Sequence, residues 1–594
     1  PQLWWPNGLG EQPLYQAQVS LLDGSNLLDE QTFQVGLRQL ELRQDPDAWG
    51  KTFQFVVNGV PIFARGADWI PADSLPTRMT AERYDTLIRD AAAANMNMLR
   101  IWGGGYYEDE YFYDACDRYG ILVWQDFMFA CAAYPLDEPD FLENVRVEIE
   151  ENVQRLRHRA CLALWCGNNE IEMMWGLWKR HKSLTKACES FFYHQLPAWV
   201  ESLDPDRAYW PSSPSSGKFM DKTNSDNYGD THLWQVWHGL RPFTYFRKRF
   251  TRMASEFGLE SLPDLKTFHE YTEEKDLRMD GEVVLHHQRS AGGNDKILYY
   301  LTDRFQMPRE FSDLIYLSQI LQAEAMRHGF EHWRRNSPRC NGALYWQYND
   351  CWPVTSWASV DYNGRWKALQ YVAKRFNAPL ALSLEDEGNT VRPYVINERR
   401  EPWQGTLTWT LETLSGEIVK SGEKEISAAP LAVVRLKLFD FSGSLQSHGK
   451  EQLVFTASLK EGNQRTAWQT ALFSLEKKME FPDHGLEWTL TQDNGSVAIN
   501  LSAKAFARFV WLDVEGADVV FSDNSFDLPA NWNTTITCPL PAGWALEQFE
   551  QALRVRSLAD VEPGGTPFSD HLLHIQMGLK PTSLITRVIF SFIE

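Results

Sequence analysis

Residues 1–48 contain two segments in which apolar and polar residues alternate, which is the pattern of β-strands. The segments LYQAQVSLLDG and EQTFQVGLRQLELRQ both show it, and Asp23-Gly24 between them is a turn dipeptide. The stretch is too short to form a complete β-sandwich. We therefore expect residues 1–48 to be the C-terminal part of an immunoglobulin-like β-sandwich whose beginning is missing.

The pattern changes between residues 49 and 378, where short apolar segments alternate with amphipathic helical stretches such as TAERYDTLIRDAAAANM. The eight candidate strands lie at 61–69, 97–104, 121–127, 162–170, 208–213, 230–237, 251–258 and 342–350. Eight strand–helix units over this length suit a (β/α)8 barrel with insertions. A doubly wound sheet is the alternative. That fold usually carries a glycine-rich phosphate turn after its first strand, and FARGADW is not such a turn.

Strand patterns return after residue 378, for example in LTWTLETLSGEIV and ARFVWLDVEGADVVF. We expect two immunoglobulin-like β-sandwiches, at 379–480 and 481–562. Residues 563–594 lack this rhythm and form a tail of unknown structure. The predicted fold class is therefore multidomain, with a central (β/α)8 TIM barrel at 49–378 flanked by immunoglobulin-like β-sandwich domains.

The net charge of the chain limits the kinds of molecule that it is expected to bind. Lysine and arginine together number 58 and aspartate and glutamate 79, which gives a net charge of −21. We therefore expect neither nucleic acid nor an anionic membrane surface as a partner. The sequence also contains no apolar run near the roughly 18 residues that span a bilayer. The oligomeric state stays open.

The compartment is less constrained by the sequence. The eight cysteines are scattered through a long chain, which is not the arrangement of a disulfide framework. Reduced thiols are expected, and they favour the cytoplasm. The first residue is Pro1 and no signal peptide follows it, so we expect the numbering to begin inside a longer protein.

Tryptophan is the unusual residue in the composition, with 25 in total and 18 of them before residue 370. One interpretation is large hydrophobic cores, because each indole buries a large apolar area. The other is a sugar-binding site, in which flat indole faces stack on pyranose rings. Composition alone does not decide between the two.

Two of the predicted barrel strands end in a glutamate. The fourth runs through LALWCGNN to Glu170, and the seventh ends in SEFG with Glu256. Active sites of such barrels lie at the carboxyl ends of the strands, so these two side chains can face one pocket. Two carboxylates about 5–5.5 Å apart are the equipment of a retaining glycosidase. The alternative interpretation is that each glutamate forms an ordinary ion pair at the rim of the barrel.

The segments WCGNNE, SEFG and GDTHLWQVWHG resemble those of glycoside hydrolase family 2, and within it the β-mannosidases. Three longer segments, at 3–15, 100–135 and 344–367, support the same resemblance. It covers about residues 1–560, and its motifs are long and specific.

The resemblance implies a role for individual residues. Glu170 corresponds to the catalytic acid/base and Glu256 to the nucleophile. Asn169 matches the position that contacts the 2-hydroxyl of the sugar. The other implied substrate-binding residues are Arg100, Trp102, His232, Trp234, Trp346, Asn349 and Asp350. Neither a metal nor a cofactor is expected.

The resemblance implies a retaining exo-β-mannosidase, whose substrate is an oligosaccharide or glycan with a terminal β-D-mannose. An endo-β-mannosidase or an exo-β-glucosaminidase of the same family is an alternative, and so is an inactive carbohydrate-binding fragment. The chain departs from the family pattern because it lacks the N-terminal jelly-roll domain and most of the first sandwich. In the family, the N-terminal domain forms part of the wall of the active-site pocket. We therefore expect a truncated chain, and we expect truncation to lower its activity or its selectivity.

Three further motifs carry less weight. Gly103-Gly104-Gly105 lacks the spacing of a phosphate-binding loop and indicates a tight turn. Cys161 and Cys166 lie on opposite faces of one predicted strand, so they cannot both bind one metal. Ser255 has no GxSxG motif around it, which argues against a serine hydrolase.

Overall fold

The computed structural model describes residues 1–174 and 182–564. The chain forms two compact units. The first contains Pro1–Gly258 and Asn336–Trp352, and the second contains Leu259–Arg335 and the described residues from 353 to 564. The five-segment division predicted from the sequence is finer than this and stays a prediction, and most of its last segment, 565–594, lies outside the described residues.

The first unit begins with short antiparallel sheets. Its strands are β1 (Tyr15–Asp23), β2 (Asn26–Val35), β3 (Leu40–Arg43), β4 (Pro46–Asp47), β5 (Gly50–Lys51), β6 (Gln54–Val57) and β7 (Val60–Pro61). The predicted turn at Asp23-Gly24 joins β1 to β2, and Gly24 supplies the positive φ of 63° there. A second sheet has the order β3-β6-β7. Phe53 directly precedes β6, and Phe55 lies within it. Both rings pack against Trp124, and Phe53 also packs against Trp210. These two tryptophans lie in strands of the barrel.

Eight parallel strands follow in the first unit. They are β8 (Ala64–Trp69), β9 (Met98–Ile101), β10 (Leu122–Asp126), β11 (Leu162–Cys166), β12 (Ala208–Trp210), β13 (Thr231–His232), β14 (Met253–Glu256) and β15 (Gly342–Tyr345). Their order in the sheet is β12-β11-β10-β9-β8-β15-β14-β13. This order confirms the predicted barrel class, because consecutive strands lie side by side and the last strand pairs with the first.

Strands β12 and β13 are the two ends of this order, and side chains join them. Trp210 Nε1 donates to Asp230 Oδ1 at 2.8 Å, and Ser213 Oγ donates to Asp230 Oδ2 at 2.6 Å. Ser213 Oγ also lies 2.9 Å from His232 Nε2. The barrel is therefore closed at this point by a hydrogen-bonded side-chain cluster directly beside the carboxyl ends of its strands.

Local sequence signals explain the elements around the barrel. Strands such as β10 and β11 are buried along their whole length, as expected for parallel strands covered on both faces. The helices of this unit are α1 (Ala81–Ala93), α2 (Glu110–Tyr119), α3 (Pro139–Leu156), α4 (Ile171–Met174), α5 (Lys182–Ser190) and α6 (Leu196–Leu203). Thr80 caps the start of α1, and α2 runs from its cap Asp109 to Gly120, whose left-handed φ of 75° ends it.

The second unit contains five helices before its sandwiches: α7 (Leu265–Phe268), α8 (Glu282–His286), α9 (Gly293–Arg304), α10 (Phe311–Arg335) and α11 (Ala368–Phe376). Along the chain, α9 and α10 lie between β14 and β15. Helix α10 is buried on almost every side. None of the helices in the described ranges combines the length and the apolar character needed to cross a membrane.

The chain then forms paired antiparallel sheets. The first pair uses β16 (Leu380–Glu387), β17 (Thr390–Asn397), β18 (Trp403–Thr413), β19 (Ile418–Ala428), β20 (Ala432–Arg435), β21 (Phe439–Asp440), β22 (Leu453–Glu461) and β23 (Gln464–Leu472), with α12 (Ser442–His448). The second uses β24 (Glu487–Asp493), β25 (Ser496–Ser502), β26 (Ala507–Val514), β27 (Phe526–Leu528), β28 (Asn533–Pro539) and β29 (Leu553–Arg556), with α13 (Leu546–Ala552). The sheets β16-β17-β20 and β19-β18-β22-β23 enclose one apolar core, as predicted for a sandwich.

Candidate active site

The carboxyl ends of the barrel strands bring two glutamates and a histidine together. Glu170 follows β11, Glu256 ends β14 and His232 ends β13. One ligand atom from each of the three side chains lies within 4.8 Å of the others. His232 Nδ1 is 2.7 Å from Glu170 Oε1 and 3.3 Å from Glu256 Oε2. The two predicted catalytic carboxylates therefore face each other across a single small space.

Glu170 is held in an unusual backbone conformation. Its φ of 58° lies in the left-handed region, which disfavours residues other than glycine. Its amide donates to Ser213 O at 2.7 Å, and the preceding residue Asn169 forms β-bridges with Ala130 and Ser213. Backbone strain of this kind persists where the surroundings fix the residue, and it is common at functional sites. These contacts aim the Glu170 side chain into the barrel mouth.

Arg100 at the end of β9 connects the two strand ends that carry the glutamates. Its side chain is fully buried, and its Nη1 donates to Glu256 Oε1 at 2.7 Å. Its Nη2 donates to Asn169 Oδ1 at 2.6 Å. Buried charges are tolerated when they are paired and hydrogen-bonded. Arg100 thus orients the glutamate on β14 and the asparagine that precedes Glu170.

Two aspartates complete the environment of Arg100, and the sequence analysis missed both. Asp68 Oδ1 accepts from Arg100 Nη1 at 3.2 Å, and Asp126 Oδ2 accepts from Nη2 at 2.8 Å. Burial lowers the pKa of Arg100, because it disfavours the charged guanidinium. The negative charges of Asp126, Asp68 and Glu256 outweigh burial and raise that pKa well above its ordinary value. The guanidinium is therefore a permanent cation beside Glu256. Both aspartates lie at or next to the end of a barrel strand, Asp68 in GADW and Asp126 in WQDF. This position is the signal by which the sequence could have revealed them.

The pKa values of the three central groups are shifted in different directions. Burial lowers the pKa of His232, but the charge of Glu256 and the hydrogen bond to Glu170 outweigh burial and raise it. Burial raises the pKa of Glu170, but the hydrogen bond and charge of His232 outweigh it and lower it. Burial and the charge of Glu170 raise the pKa of Glu256 against the opposing effects of His232 and Arg100. These directions favour a proton on His232 over one on Glu170.

Hydrogen bonding on the other side of the imidazole supports this protonation state. Ser213 has a single hydroxyl proton, which it donates to Asp230 at 2.6 Å. Its oxygen is then free to accept from His232 Nε2 at 2.9 Å, which places a proton on Nε2. Nδ1 lies 2.7 Å from Glu170 and 3.3 Å from Glu256, so a proton in this space is shared among the three groups. The raised pKa of His232 and the lowered pKa of Glu170 favour an imidazolium between the two glutamates.

Three half-buried indoles directly follow, or lie close after, the carboxyl ends of barrel strands. Trp234 Nε1 donates to Glu256 Oε2 at 3.2 Å. The rings of Trp102 and Trp346 meet edge to face, with centroids 5.2 Å apart. Both follow barrel strands, β9 and β15. Indoles in this position offer an apolar wall and N–H donors, which is what a pyranose ring requires.

Asn349 and Asp350 lie in the segment that follows β15. The side chain of Asn349 donates to Ile70 O at 2.8 Å and accepts from Ile70 N at 3.3 Å. Asp350 Oδ1 accepts from Gln347 Nε2 at 3.2 Å. These bonds fix the segments after β15 and β8 to one another. A direct contact of Asn349 or Asp350 with substrate stays a prediction.

Comparison with known sequences defines the family of the chain. Residues 1–38 match the profile of glycosyl hydrolases family 2, residues 389–477 that of a mannosidase Ig/CBM-like domain, and residues 481–561 that of the mannosidase Ig-fold domain. A β-mannosidase from Capra hircus is 33% identical over 605 residues, which covers 94% of this chain and 67% of that protein. The chain belongs to glycosyl hydrolase family 2.

Two further similar proteins extend the comparison. Beta-mannosidase B from Emericella nidulans is 41% identical over 406 residues, which is 65% of this chain and 47% of that protein. The chain thus spans about half the length of this fungal relative. The crystal structure of a β-D-mannosidase from Dictyoglomus thermophilum superimposes with a TM-score of 0.88 at 34% identity, over 94% of this chain and 68% of that one. The predicted resemblance is confirmed at the level of the family.

One further residue of this family 2 site was not anticipated. Cys131 Sγ lies 3.6 Å from Glu170 Oε2 and 3.3 Å from Asn169 Nδ2. Desolvation and the charges of Glu170 and Glu256 raise the pKa of Cys131, so it remains a neutral thiol. A neutral S–H can donate weakly to Glu170 while its sulfur accepts from Asn169. The loop after β10 therefore also takes part in orienting Glu170.

Among the residues that the structure describes, the three side chains of Glu170, His232 and Glu256 are the group whose donor atoms could hold an ion. A cation there would compete with Arg100 for Glu256 and would displace the proton from His232 Nδ1. The expectation that no metal is needed stays a prediction.

Proposed function

We propose that the protein is a retaining exo-β-mannosidase that releases terminal β-D-mannose from the non-reducing ends of oligosaccharides or glycans. The observation that carries the proposal is the approach of Glu170 and Glu256 within 4.8 Å at the mouth of a family 2 barrel. Carboxylates this close leave no room for a water between nucleophile and sugar, which favours retention over inversion. The similar proteins named above are β-mannosidases, which supports the choice of sugar.

In the first half of the reaction, Glu256 attacks the anomeric carbon of the terminal mannose. A bond forms between Glu256 and C1 while the bond from C1 to the glycosidic oxygen breaks. Arg100 and Trp234 each donate to Glu256, which orients the attacking carboxylate. Glu170 delivers a proton to the departing oxygen, so that an alcohol rather than an alkoxide leaves.

The proton that Glu170 delivers comes from His232. In the resting site Nδ1 of the imidazolium donates to Glu170 Oε1 at 2.7 Å. As the glycosidic bond breaks, the leaving oxygen gains basicity and draws the proton from Nδ1 through Glu170. The positive charge on His232 is then lost at the moment when Glu256 loses its negative charge by forming the ester. The net charge of the site is balanced through this step.

In the second half, Glu170 acts as a base. It removes a proton from water, the water oxygen attacks C1, and the ester bond to Glu256 breaks. Mannose leaves with the configuration of the original glycoside because C1 has been inverted twice. Asn169, held by Arg100 and Cys131, is placed to bind the 2-hydroxyl, where hydrogen bonds strengthen in the transition state.

The pH dependence of the rate follows from the same groups. Glu256 must be ionised, and its raised pKa places the ascending limb of the pH profile above the ordinary carboxyl range. The proton on His232 must be present, and its raised pKa places the descending limb above the ordinary imidazole range. Activity is lost as pH falls through the pKa of Glu256 and as pH rises through that of His232.

His232→Ala is expected to move the descending limb of the kcat/KM profile to lower pH by about one unit, because the proton must then be held by a carboxyl alone. The measurement is kcat/KM between pH 4 and pH 9 for a manno-oligosaccharide, whose leaving group requires a proton. His448→Ala, in α12 of the first sandwich, is the matched control and should leave the profile unchanged. A descending limb at the wild-type position in His232→Ala would remove His232 from the proton supply.

The substrate assignment is tested with a panel of glycosides. We expect the p-nitrophenyl β-D-mannoside to be hydrolysed about 10²-fold faster, by kcat/KM, than the matching β-D-glucosaminide, since a site built for one set of hydroxyls rejects another. From a manno-oligosaccharide the first product should be free mannose. Release of larger fragments would support the endo-acting alternative, and preference for the glucosaminide would support the exo-β-glucosaminidase.

A further inference from the structure

The loop between β12 and β13, residues 215–229, plays no part in the mechanism above. Three of its residues other than glycine have a φ in the left-handed region, Met220 at 52°, Lys222 at 53° and Asn224 at 68°. Such residues persist where their surroundings fix the backbone. The path of the β12–β13 loop is therefore set by its contacts with the barrel.

Two carboxylates anchor the β12–β13 loop. Glu172, in helix α4, accepts from Met220 N at 3.0 Å. Asp226 accepts from Arg249 Nε at 2.8 Å. Arg249, which precedes β14, also donates to Asn224 O at 3.3 Å. Helix α4 and strand β14 are the elements next to the two glutamates of the site, so the loop is attached on both sides of that site.

The side chain of Asn224 makes two hydrogen bonds to the backbone of a single residue, His232. Its Nδ2 donates to His232 O at 2.9 Å, and its Oδ1 accepts from His232 N at 2.7 Å. His232 is buried, and buried backbone groups need hydrogen-bond partners. One side-chain amide therefore satisfies both backbone groups of this residue.

These two backbone groups face the break in the strand pairing of the barrel. On its other side β13 pairs with β14, where Leu233 N donates to Glu256 O at 2.7 Å. The backbone groups of successive residues in a strand point alternately to the two neighbouring strands, so those of His232 point toward β12. Strands β12 and β13 are the two ends of the sheet order. Asn224 thus occupies the place of a strand neighbour for β13.

The backbone position of His232 decides where its ring lies. Nδ1 is 2.7 Å from Glu170 Oε1, and Nε2 is 2.9 Å from Ser213 Oγ. A shift of the strand end by about 1 Å away from Glu170 would lengthen the first of these distances beyond that of a hydrogen bond. Misplacement by about 1 Å can lower the rate of an enzyme by about 10²-fold.

We propose that Asn224 is a positioning residue of the reaction. Its side-chain amide replaces a strand neighbour of β13 and holds His232 where Nδ1 can supply a proton through Glu170. Asn224 acts through His232 and not on the sugar. The inference rests on the proposed function, because it concerns the acid step of that reaction.

Asn224→Gly is the variant that tests this role, because it removes the amide while glycine adopts the left-handed φ without strain. Asn494→Gly is the matched control, since Asn494 also has a left-handed φ, of 47°, and is exposed in the turn between β24 and β25. Asn224→Asp is a second variant. Its carboxylate can accept from His232 N but cannot donate to His232 O, so it should show the same kinetic changes if Asn224→Gly does not fold.

The leaving group separates a role in proton supply from a general loss of structure. For a manno-oligosaccharide, Asn224→Gly is expected to lower kcat/KM by about tenfold to 10²-fold, because the acid proton is supplied less well. For a dinitrophenyl β-mannoside, whose leaving group needs no proton, kcat/KM should stay within about twofold of the native value. Asn494→Gly should leave both values unchanged. Equal losses on both substrates in Asn224→Gly would overturn the proposal.

A double-mutant cycle tests whether Asn224 acts through His232. In a His232→Ala background, Asn224→Gly should change kcat/KM for the oligosaccharide by less than about twofold, since the imidazole that it positions is already gone. A further loss as large as that in the native background would show that Asn224 acts by another route, and the proposal would then be wrong.

Hydrogen–deuterium exchange at the His232 amide gives a readout that does not depend on turnover. This amide donates to Asn224 Oδ1. Asn224→Gly should therefore raise its exchange rate by about tenfold or more, and Asn494→Gly should not. An unchanged rate in folded Asn224→Gly would contradict the proposal. Absence of hydrolysis by the native chain would contradict the proposed function, and the exchange rates would still decide whether Asn224 holds the end of β13.

Discussion

Glu256→Ala is expected to lower kcat for β-mannosides by about 10⁴-fold to 10⁶-fold, the range for loss of a nucleophile from a covalent mechanism. The variant removes the atom that bonds to C1. Asp68, which accepts from the same Arg100 nitrogen as Glu256, is fully buried and is not expected to take over the attack. The measurement is steady-state turnover of p-nitrophenyl β-D-mannoside, together with circular dichroism and thermal unfolding.

Glu256→Gln and Glu412→Gln form a matched pair for this prediction. Burial raises the pKa of Glu412 in the first sandwich to about 7, so that an uncharged amide suits its site. Glu412→Gln should retain native turnover, whereas Glu256→Gln should lose it. A folded Glu256→Ala protein with turnover within about tenfold of the native chain would be incompatible with a nucleophilic Glu256.

Glu170→Ala is expected to produce a loss that depends on the leaving group. For an alkyl β-mannoside or a manno-oligosaccharide, kcat/KM should fall by about 10²-fold to 10⁴-fold, the usual contribution of general acid catalysis. For a dinitrophenyl β-mannoside it should fall by less than about tenfold, because a phenolate of low basicity leaves without a proton. The measurement is kcat/KM for a series of glycosides of increasing leaving-group pKa.

The second half of the reaction offers a control for the same variant. Without Glu170 no base activates water, so the covalent intermediate should accumulate with activated substrates, and azide should restore turnover by attacking C1 directly. Asn169→Ala leaves the acid in place and should slow all members of the series to a similar degree. Equal losses across the series in Glu170→Ala would contradict its role as the acid.

Sequence reasoning located the elements that carry the proposed catalytic groups. Glu170 and Glu256 follow apolar strands, and parallel barrel strands direct their carboxyl ends to one face, so their proximity follows from topology. The alternation of residues 1–48 likewise predicted the hairpin of β1 and β2. In each case a local pattern and a general rule of chain topology were sufficient.

The network around Arg100 was less accessible to sequence reasoning. Asp68 and Asp126 are isolated aspartates in short strands, and their role emerges when three strands bring them to one guanidinium. Cys131 is similar, because its contact with Glu170 depends on the path of the loop after β10. The side-chain hydrogen bonds that close the barrel between β12 and β13 also have no local sequence motif. At this point, contacts of Asp230 take the place of backbone pairing.

The most direct measurement is identification of the residue that becomes covalently attached to the sugar, the step that the Glu256 variants test indirectly. The native chain would be incubated with a 2-deoxy-2-fluoro-β-mannosyl fluoride, which slows release of the intermediate more than its formation, and digested for peptide mass spectrometry. We predict one fluoromannosyl group per chain, attached to Glu256. Attachment to another residue, or rapid turnover of native substrate by a chain that forms no adduct, would contradict the account.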